Sequence, residues 1–530
     1  MLRRQKGFTI VELLIVIVII GILAAITVVS YTGIARQASD SIVKSDASNL
    51  ASSLGLYAAT HTDQYVSWFS GDAIPAGANF KVSADNYADI TTSSNLQKYC
   101  IRVFNTKSSY TSAETAYTAE QPAGACSELD ASDAAVAVTA PQSGWLALGD
   151  HCGIRYDGKG YCWGDNYYGW LGNGNNNNSA TTTAVYMSGA LAGKTLKSIS
   201  GSCAIASDNN AYCWGYNREG NLGIGTSGSG TDSNVPVAVS TAGVLAGKTI
   251  KKISSSGSST CVIASDDNAY CWGYNLSGKL GDGTMTNSAY PIAVDTSGAL
   301  AGKTIKDISV GVYQTCAIAS DDNAYCWGDD NYGTLGQNGT NFSSVPVAVN
   351  RSGALAGKTI KNIIVNGLRT ACVIASDNNV YCWGLNSYGA VGDGTNTTRR
   401  VPAQVINTGA LAGKTVKHIA GASSGAVCAI ASDNKAYCWG NNNMGGLGNG
   451  TAGGSSNVPV SVQMSGMIGN RNLKALSGGA SAVCAIATDN TGYCWGSMGG
   501  YRGVFGDNSM YGDDGYGNYY ANVPVLVPQP

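Results

Sequence analysis

The 530-residue sequence predicts a multidomain protein, in which a long N-terminal α-helix and a small α+β region precede an all-β, seven-bladed propeller. Three observations predict this fold: an apolar N-terminal segment, a four-residue motif that recurs seven times, and a cysteine pair of constant spacing in every copy. With 70 glycines and 44% hydrophobic residues, the composition is typical of turn-rich β structure and not of a disordered chain. The net charge of −2 argues against a nucleic-acid partner.

The apolar segment near the N-terminus is long enough to cross a membrane. It runs for 22 residues from Phe8 to Val29, and Glu12 is its only charged residue. As a helix this segment would span about 33 Å. Because Arg3 and Arg4 precede it, we expect a cytoplasmic N-terminus, with the remainder of the chain outside the cell membrane.

The buried carboxylate of Glu12 requires a partner, since a charge in hydrocarbon costs about 2.5 kcal/mol or more. An α-amine on Phe8 of a neighbouring subunit, formed by cleavage after Gly7, would be such a partner. The segment from Lys6 to Leu14 resembles the leader junction of type IV pilins and pseudopilins. The resemblance implies cleavage between Gly7 and Phe8 by a prepilin peptidase, N-methylation of Phe8, and a role for Glu12 in assembly with other pilin subunits. A plain signal anchor, the alternative, would leave Gly7 and Glu12 unexplained.

Beyond the membrane segment, apolar residues recur at steps of three and four, which predicts one continuous helix over residues 8–59. Residues 1–7 form the predicted leader, and residues 60–140 a small pilin-like region. Its two predicted strands are Phe80–Val82 and Ile101–Phe104. Cys100 and Cys126 are the only thiols of this region, and a disulfide between them would close a loop near its end, as in many pilins.

A propeller over residues 141–530 is predicted from the repeats. The motif Tyr-Cys-Trp-Gly occurs seven times, and each of its cysteines has a partner ten positions earlier. The seven pairs are Cys152 and Cys162, Cys203 and Cys213, Cys261 and Cys271, Cys316 and Cys326, Cys372 and Cys382, Cys428 and Cys438, and Cys484 and Cys494.

The spacing of each pair predicts a β-hairpin. If the two cysteines face each other, the loop between the strands has an odd number of residues, and a three-residue loop fits with a positive φ at its third position. That position holds only residue types that tolerate a positive φ: Gly158, Asn209, Asp267, Asp322, Asn378, Asn434 and Asn490. Facing cysteines predict disulfides and therefore an oxidising compartment. Zinc binding, the alternative, does not suit pairs on one hairpin in a chain with three histidines.

From residue 145 to 527 the repeats resemble the regulator of chromosome condensation family, which implies the propeller fold. The nucleotide-exchange activity of the family's eukaryotic founder is not expected of an extracellular chain without a basic surface. The motif tryptophans could serve as sugar platforms, but their equivalent positions favour packing between blades. They are Trp163, Trp214, Trp272, Trp327, Trp383, Trp439 and Trp495.

The sequence contains no catalytic constellation, and we expect neither an enzyme nor a cofactor. Clusters such as Asp282-Gly283 and Asp393-Gly394 could hold calcium, although turn geometry alone explains them. The seventh repeat carries a longer loop, which we interpret as a possible ligand-binding site; the alternative is a flexible excursion. Its candidate residues are Tyr501, Arg502, Tyr511, Asp513, Asp514, Tyr516, Tyr519 and Tyr520.

Together these features predict a pilin-like subunit that leaves the cytoplasmic membrane for an extracellular pilus or the cell surface. A propeller of about 390 residues would have a radius of gyration near 21 Å, too wide for every subunit of a closely packed shaft. The sequence therefore favours a minor or tip subunit that binds a glycan or protein surface ligand. The alternatives are a pseudopilin of a secretion or DNA-uptake system, and a membrane-anchored secreted enzyme or inhibitor.

Overall fold

The computed structural model describes residues 144–149, 151–422, 424–464, 471–479, 482–497 and 520–527 in full. It describes the backbone of residues 68–69, 86–92, 98–105, 112–118, 121–124, 511–513 and 519. The chain divides into two compact units, Met1–Pro141 and Gln142–Pro530. Within these described ranges, no helix is long and apolar enough to cross a membrane. The predicted helix over residues 8–59, with Gly7, Phe8 and Glu12, lies outside them.

The first unit contains a five-stranded antiparallel sheet whose strands follow one another in chain order. The predicted strand Ile101–Phe104 falls within the third of them, as does Cys100, whereas Phe80–Val82 and Cys126 lie outside the described residues. The strands are β1 Trp68–Phe69, β2 Asn86–Thr92, β3 Lys98–Asn105, β4 Ser112–Thr118 and β5 Gln121–Gly124.

The second unit is an all-β propeller of seven blades, as the repeats predict. Each of the first six blades is an antiparallel sheet of four strands that are consecutive in the chain. In the seventh blade, a short additional strand follows the third strand in the chain and pairs beyond the fourth, at the edge of the sheet. The strands of blades 1 to 3 are β6 Trp145–Leu148, β7 Cys152–Arg155, β8 Gly160–Gly164, β9 Ser179–Ala184; β10 Leu196–Ser200, β11 Cys203–Ala206, β12 Ala211–Gly215, β13 Ser233–Ala238; and β14 Ile250–Ser255, β15 Ser259–Ala264, β16 Ala269–Gly273, β17 Ser288–Ala293.

The remaining four blades repeat this plan. Their strands are β18 Ile305–Val310, β19 Gln314–Ala319, β20 Ala324–Gly328, β21 Ser343–Ala348; β22 Ile360–Val365, β23 Thr370–Ala375, β24 Val380–Gly384, β25 Arg399–Gln404; β26 Val416–Gly421, β27 Ala426–Ala431, β28 Ala436–Asn441, β29 Ser455–Ser461; and β30 Leu473–Gly478, β31 Ala482–Ala487, β32 Gly492–Ser497, β33 Tyr511–Asp513, β34 Tyr519–Leu526. Short 3₁₀ helices at Gly189–Leu191, Gly243–Leu245 and Gly409–Leu411 precede the first strands of blades 2, 3 and 6.

The second and third strands of every blade form the predicted hairpin. The two motif cysteines are direct cross-strand partners and form a disulfide in all seven blades. The third loop residue has a positive φ in each copy, from 58° at Asp322 to 76° at Gly158. The hairpin register, the disulfides and the backbone conformation predicted from the spacing are therefore confirmed.

The core lies between the blades, because each sheet is covered on both faces by its neighbours. In blade 4, for example, Cys326 packs towards blade 5, whereas Tyr325 and Trp327 pack towards blade 3. This alternation is the two-residue period of a β-strand. The seven motif tryptophans are at most 2% exposed, which confirms the packing interpretation and excludes the sugar-platform alternative.

The tryptophans of the second to sixth motifs also join neighbouring blades by hydrogen bonds. The indole Nε1–H of Trp327 donates to the carbonyl of Lys279 in blade 3 over 2.9 Å, and that of Trp383 donates to Thr334 of blade 4 over 2.9 Å. Most copies carry a Leu-Gly pair after the motif, such as Leu335-Gly336, and its glycine packs against the indole of the next blade. At Gly336, which has a φ of 69°, a Cβ atom would lie 2.8 Å from Nε1 of Trp383, so a side chain would displace the indole.

The ring closes between blades 7 and 1 by the same contacts that join the other blades. In each interface, the carbonyl of the positive-φ loop residue accepts a hydrogen bond from the N–H of the first residue of the next blade; Asn378 accepts from Val416 and Asn490 from Trp145, both over 2.9 Å. Trp145 is fully buried in the cluster that joins these two blades. Residues 523–526 belong to β34, the fourth strand of the blade 7 sheet, and no described strand is exchanged between blades.

Candidate functional site on the loop face

The turns of the blades form two faces of the propeller. In a four-stranded antiparallel blade, the turn after the first strand and the loop after the third strand lie at the same edge. Backbone hydrogen bonds join them: the N–H of Tyr274 donates to the carbonyl of Ser258 over 2.9 Å, and the N–H of Asp329 donates to Tyr313 over 3.0 Å. We call this side of the propeller the loop face.

An open groove of about 870 Å³ crosses the loop face from blade 2 to blade 5. Loops after the third strands of blades 2, 3 and 4 line it, together with turns after the first strands of blades 3, 4 and 5. Its aromatic and charged lining residues are Tyr216, Glu219, Tyr274, Tyr313, Asp329, Phe342 and Arg369. Pockets of this size that combine aromatic side chains with a few polar groups are typical ligand sites.

Loops of this shape form because a buried amide anchors each of them. In blade 3, Oδ1 of Asn275 accepts a hydrogen bond from the N–H of Leu280 over 2.9 Å. Its Nδ2 donates to the carbonyls of Thr284 and Thr286 over 3.2 and 3.1 Å. The same position is occupied by Asn166, Asn217, Asn386 and Asn442 in blades 1, 2, 5 and 6.

Blade 4 departs from this pattern, because Asp330 stands at the anchor position. Its Oδ1 accepts the N–H of Leu335 over 2.9 Å, but its buried Oδ2 has no hydrogen-bond partner. Arg400 donates instead to the loop carbonyl of Gly339, over 2.8 Å. Burial raises the pKa of the Asp330 carboxyl group above its ordinary value.

Lys279 lies fully buried beneath the groove and links blades 3 and 4. Its Nζ donates to Oγ of Ser258 over 2.8 Å and to the carbonyl of Val312 over 3.0 Å, and both of these residues line the groove. Burial lowers the pKa of its amine to about 7. Lys279 therefore holds two turns of the groove in place, at the energetic cost of a buried amine.

At the other end of the groove, Arg369 is held between aromatic rings and a carboxylate. Its guanidinium carbon lies 3.8 Å from the centre of the Tyr313 ring and 5.3 Å from that of Tyr332. Its Nε lies 2.9 Å from Oδ2 of Asp329, an ion pair without hydrogen-bond geometry. Arg369 also adopts a φ of 62°, unusual for a residue with a side chain.

Further aromatic residues extend from the groove towards blade 1. Tyr168 packs edge-on against Tyr216 of the groove, with ring centres 5.0 Å apart, and against Trp170 at 5.1 Å. Arg218 lies 6.0 Å from the ring centres of both Tyr168 and Tyr216. The aromatic surface is thus continuous from blade 1 into the groove.

The structure describes only part of the seventh-repeat loop that the sequence singles out. Tyr501, Arg502, Asp514 and Tyr516 lie outside the described residues. Tyr511 and Asp513 belong to β33, which pairs with β34, where Tyr519 and Tyr520 lie. The role of this loop in ligand binding stays a prediction.

The acidic clusters considered for calcium have local partners in the structure. Both carboxylate oxygens of Asp282 accept hydrogen bonds from Thr284, and Asp393 forms an ion pair with Arg399 at 2.5 Å. Among the described residues, no group of three or more His, Cys, Asp or Glu side chains is placed to hold a metal ion. These local contacts are the ones expected of aspartates that stabilise turns.

The groove itself was not predicted from the sequence, because the copies differ where they line it. The residue after Trp-Gly is Tyr216 in blade 2 and Tyr274 in blade 3, but Asp165 in blade 1 and Leu385 in blade 5. Lys279 stands at the variable position of Gly-x-Leu-Gly, where other copies carry residues such as Asn221 and Thr334. Comparison of the copies for their differences, rather than for their shared motif, would have identified these positions.

Comparison with protein families assigns both ends of the chain. The RCC1-like domain family matches residues 199–511, more than half of the chain, and a prokaryotic N-terminal methylation motif matches residues 2–28. The protein therefore belongs to the RCC1-like domain family, in a pilin-like fusion with a methylation motif. That motif indicates a prepilin-like protein that is anchored in a membrane and then exported, and the disulfides indicate an extracellular location.

Individual relatives share the propeller but not the whole chain. The human E3 ubiquitin-protein ligase HERC2 is 31% identical over 304 residues, which cover 56% of this chain and 6% of HERC2. The ultraviolet-B receptor UVR8 of Arabidopsis thaliana is 29% identical over 263 residues, which cover 48% of this chain and 56% of the receptor. This chain thus spans at most about half the length of these relatives.

Solved structures agree with the fold. Yeast RCC1 (Prp20), in a complex with Kap60, has a TM-score of 0.57 at 17% identity, over 73% of this chain and 85% of that one. Human WBSCR16 has a TM-score of 0.57 at 16% identity, over 70% and 95% of the two chains. At these identities the likeness concerns the fold alone.

Proposed function

We propose that the protein is a minor or tip subunit of a type IV pilus, and that its propeller binds a ligand on a surface or on another cell. The observation that carries the proposal is the fusion of a prepilin-type motif to a propeller with an open, aromatic groove. The motif supplies a route into a fibre, and the groove supplies a binding site on a rigid scaffold. Its partners would be other pilin subunits, a prepilin peptidase and a glycan or protein ligand.

The proposed role is one of binding rather than catalysis. The cations next to the groove are engaged by the protein itself: Arg369 by Asp329 and two tyrosines, and Lys279 by Ser258 and Val312. Groups held in this way shape a surface, whereas a nucleophile or general base needs access to the reacting atom. Several fibres that engage one surface together would bind it with increased avidity.

The test measures where the mature protein begins and whether it is present in the fibre fraction. The mature protein should begin at N-methylated Phe8 by mass spectrometry and should co-purify with sheared fibres. Replacement of the assembly carboxylate, Glu12→Ala, should leave the protein in the membrane, since the variant cannot pair with a neighbouring α-amine. The control Thr9→Ser should still reach the fibres.

Other outcomes would favour the alternatives. A mature protein that is cleaved before Phe8 but stays in the envelope without a fibre would favour a pseudopilin. An uncleaved N-terminus would favour a membrane-anchored secreted protein, and either result would overturn the proposed pilus role.

A further inference from the structure

Three apolar side chains that line the groove are exposed to solvent. Leu276 is 61% exposed and Phe342 is 55% exposed, and both line the groove with Met285, which is 45% exposed. These three residues come from the loops of blades 3 and 4. Because the tryptophans and leucines between the blades already complete the core, these side chains contribute little to stability where they stand.

Each charged side chain that lines the groove has a partner within the protein. Its charged lining residues are Glu219, Asp329 and Arg369. Arg369 is paired with Asp329, and Glu219 accepts a hydrogen bond from the hydroxyl of Tyr216 over 3.1 Å. Burial and this hydrogen bond raise the pKa of Tyr216, so its hydroxyl remains a donor at neutral pH. A polyanionic ligand would meet two carboxylates, and a cationic one would compete with Arg369 for Asp329.

The remaining polar lining consists of short, uncharged side chains. Ser277, Asn331, Thr340 and Asn341 lie among the aromatic and apolar residues and can donate and accept hydrogen bonds. A purely apolar ligand would leave these groups without partners, at a cost of about 1–3 kcal/mol for each buried group. The lining thus fits a ligand that presents both apolar C–H faces and many hydroxyl groups.

From these three features we propose that the groove binds a neutral oligosaccharide. The aromatic rings and Leu276 would pack against the C–H faces of the sugar rings, and the short polar side chains would bind their hydroxyl groups. Tyrosine, serine and asparagine supply the same combination of rigid contact area and adaptable hydrogen bonding at antibody binding sites. The inference rests on the proposed function, since it names the class of ligand that the fibre would recognise.

The experiment uses the detergent-solubilised full-length chain and an immobilised panel of probes. The panel contains neutral hexose and N-acetylhexosamine oligosaccharides, oligosaccharides with uronic or sialic acids, and unmodified peptides. We expect binding to at least one neutral oligosaccharide. In the variant Leu276→Ser/Phe342→Ser, this binding should weaken by about tenfold or more, because the variant removes two exposed apolar contacts of the groove.

Two control variants separate a binding effect from a folding effect. Phe342→Tyr keeps the ring and should bind nearly as the original chain does. Tyr290→Ser removes an aromatic side chain that is 54% exposed in the same repeat but does not line the groove, and it should leave binding unchanged. Far-ultraviolet circular dichroism and the unfolding midpoint should be the same for all variants.

The proposal is overturned if only acidic sugars or only peptides bind, if nothing on the panel binds, or if the double variant binds as well as the original chain. These failures differ from failure of the pilus role. Loss of oligosaccharide binding with normal fibre assembly would contradict the ligand class alone. Binding by a chain that is neither cleaved nor assembled would contradict the pilus role alone.

Discussion

The role of an individual side chain in this propeller can be inferred by comparison with the equivalent positions of the other repeats. Most anchor positions hold an asparagine, whereas blade 4 holds Asp330. Most variable positions of Gly-x-Leu-Gly hold a small or polar residue, whereas blade 3 holds the buried Lys279. Both departures occur beside the groove, and both bury a titratable group.

Lys279 should make the stability of the protein depend on pH. Its pKa is lowered from 10.5 to about 7 in the folded protein, so the unfolded chain binds more protons between these values. Stability from this group therefore rises as the pH increases from about 7 towards 10.5, by roughly 1.4 kcal/mol per pH unit at most. In Lys279→Met this contribution is absent.

The measurement compares the free energies of unfolding of the two proteins in urea, from about pH 6 to about pH 9. The free energy of unfolding of Lys279→Met, compared with that of the original chain, should be highest at or below pH 7. This difference should fall at higher pH. Lys197→Met removes an exposed lysine that donates to Asn209 and serves as the control. A stability difference for Lys279→Met that does not change with pH would contradict this account.

Asp330→Asn should stabilise the propeller. The amide can donate where the carboxylate Oδ2 has no partner, and we expect a gain of about 1 kcal/mol or more at pH 7. The pKa of Asp330 is raised in the folded protein, so its charged carboxylate destabilises the fold at neutral pH. This destabilisation disappears as the pH falls through the folded pKa towards the unfolded value of 3.8. The gain should therefore shrink on acidification.

Thermal unfolding at neutral and acidic pH checks this effect. The reverse change in the next blade, Asn386→Asp, should destabilise the protein at neutral pH, because Asn386 donates to the carbonyls of Thr395 and Thr397. A neutral or destabilising Asp330→Asn would show that Arg400 already satisfies the loop.

At the scale of the element, the hairpin of each blade was predictable because its constraints are local. The two cysteines lie ten residues apart, so their pairing fixes the loop length, and the loop length fixes which residue needs a positive φ. The carbonyl of the same residue also accepts a hydrogen bond from the next blade, as that of Asn378 does from the N–H of Val416. This second role could not be predicted, since it depends on how successive blades pack.

Substitutions at Asn378 should separate backbone conformation from side-chain contacts. Asn378→Ala places a Cβ residue without local hydrogen bonding at a φ of 60°, which we expect to cost about 1–2 kcal/mol. Asn378→Gly should cost much less, although it loses the same contact with Nζ of Lys361. Urea unfolding of both variants checks the order, and equal losses would mean that the side-chain contact, not the turn, decides the effect.

At the scale of the whole molecule, the number of blades could be counted in the sequence, but the binding surface could not be located. The lining of the groove extends from Tyr216 to Arg369, over four blades, and its residues meet only when the ring has formed. The seventh-repeat loop was predicted as a binding site because a difference in loop length can be read directly from the sequence. The way the ring closes could not be predicted from the sequence either. The other blades begin with an aliphatic residue, such as Leu196 or Ile250, whereas blade 1 begins with Trp145.

Immunogold labelling would show whether a fibre displays the propeller. An antibody against the propeller would be applied to intact cells and to sheared fibres, with cells that lack the protein as the control. We expect label at the ends of fibres, where a wide head does not crowd its neighbours. Label that stays in the cell envelope, with none on any fibre, would contradict this expectation.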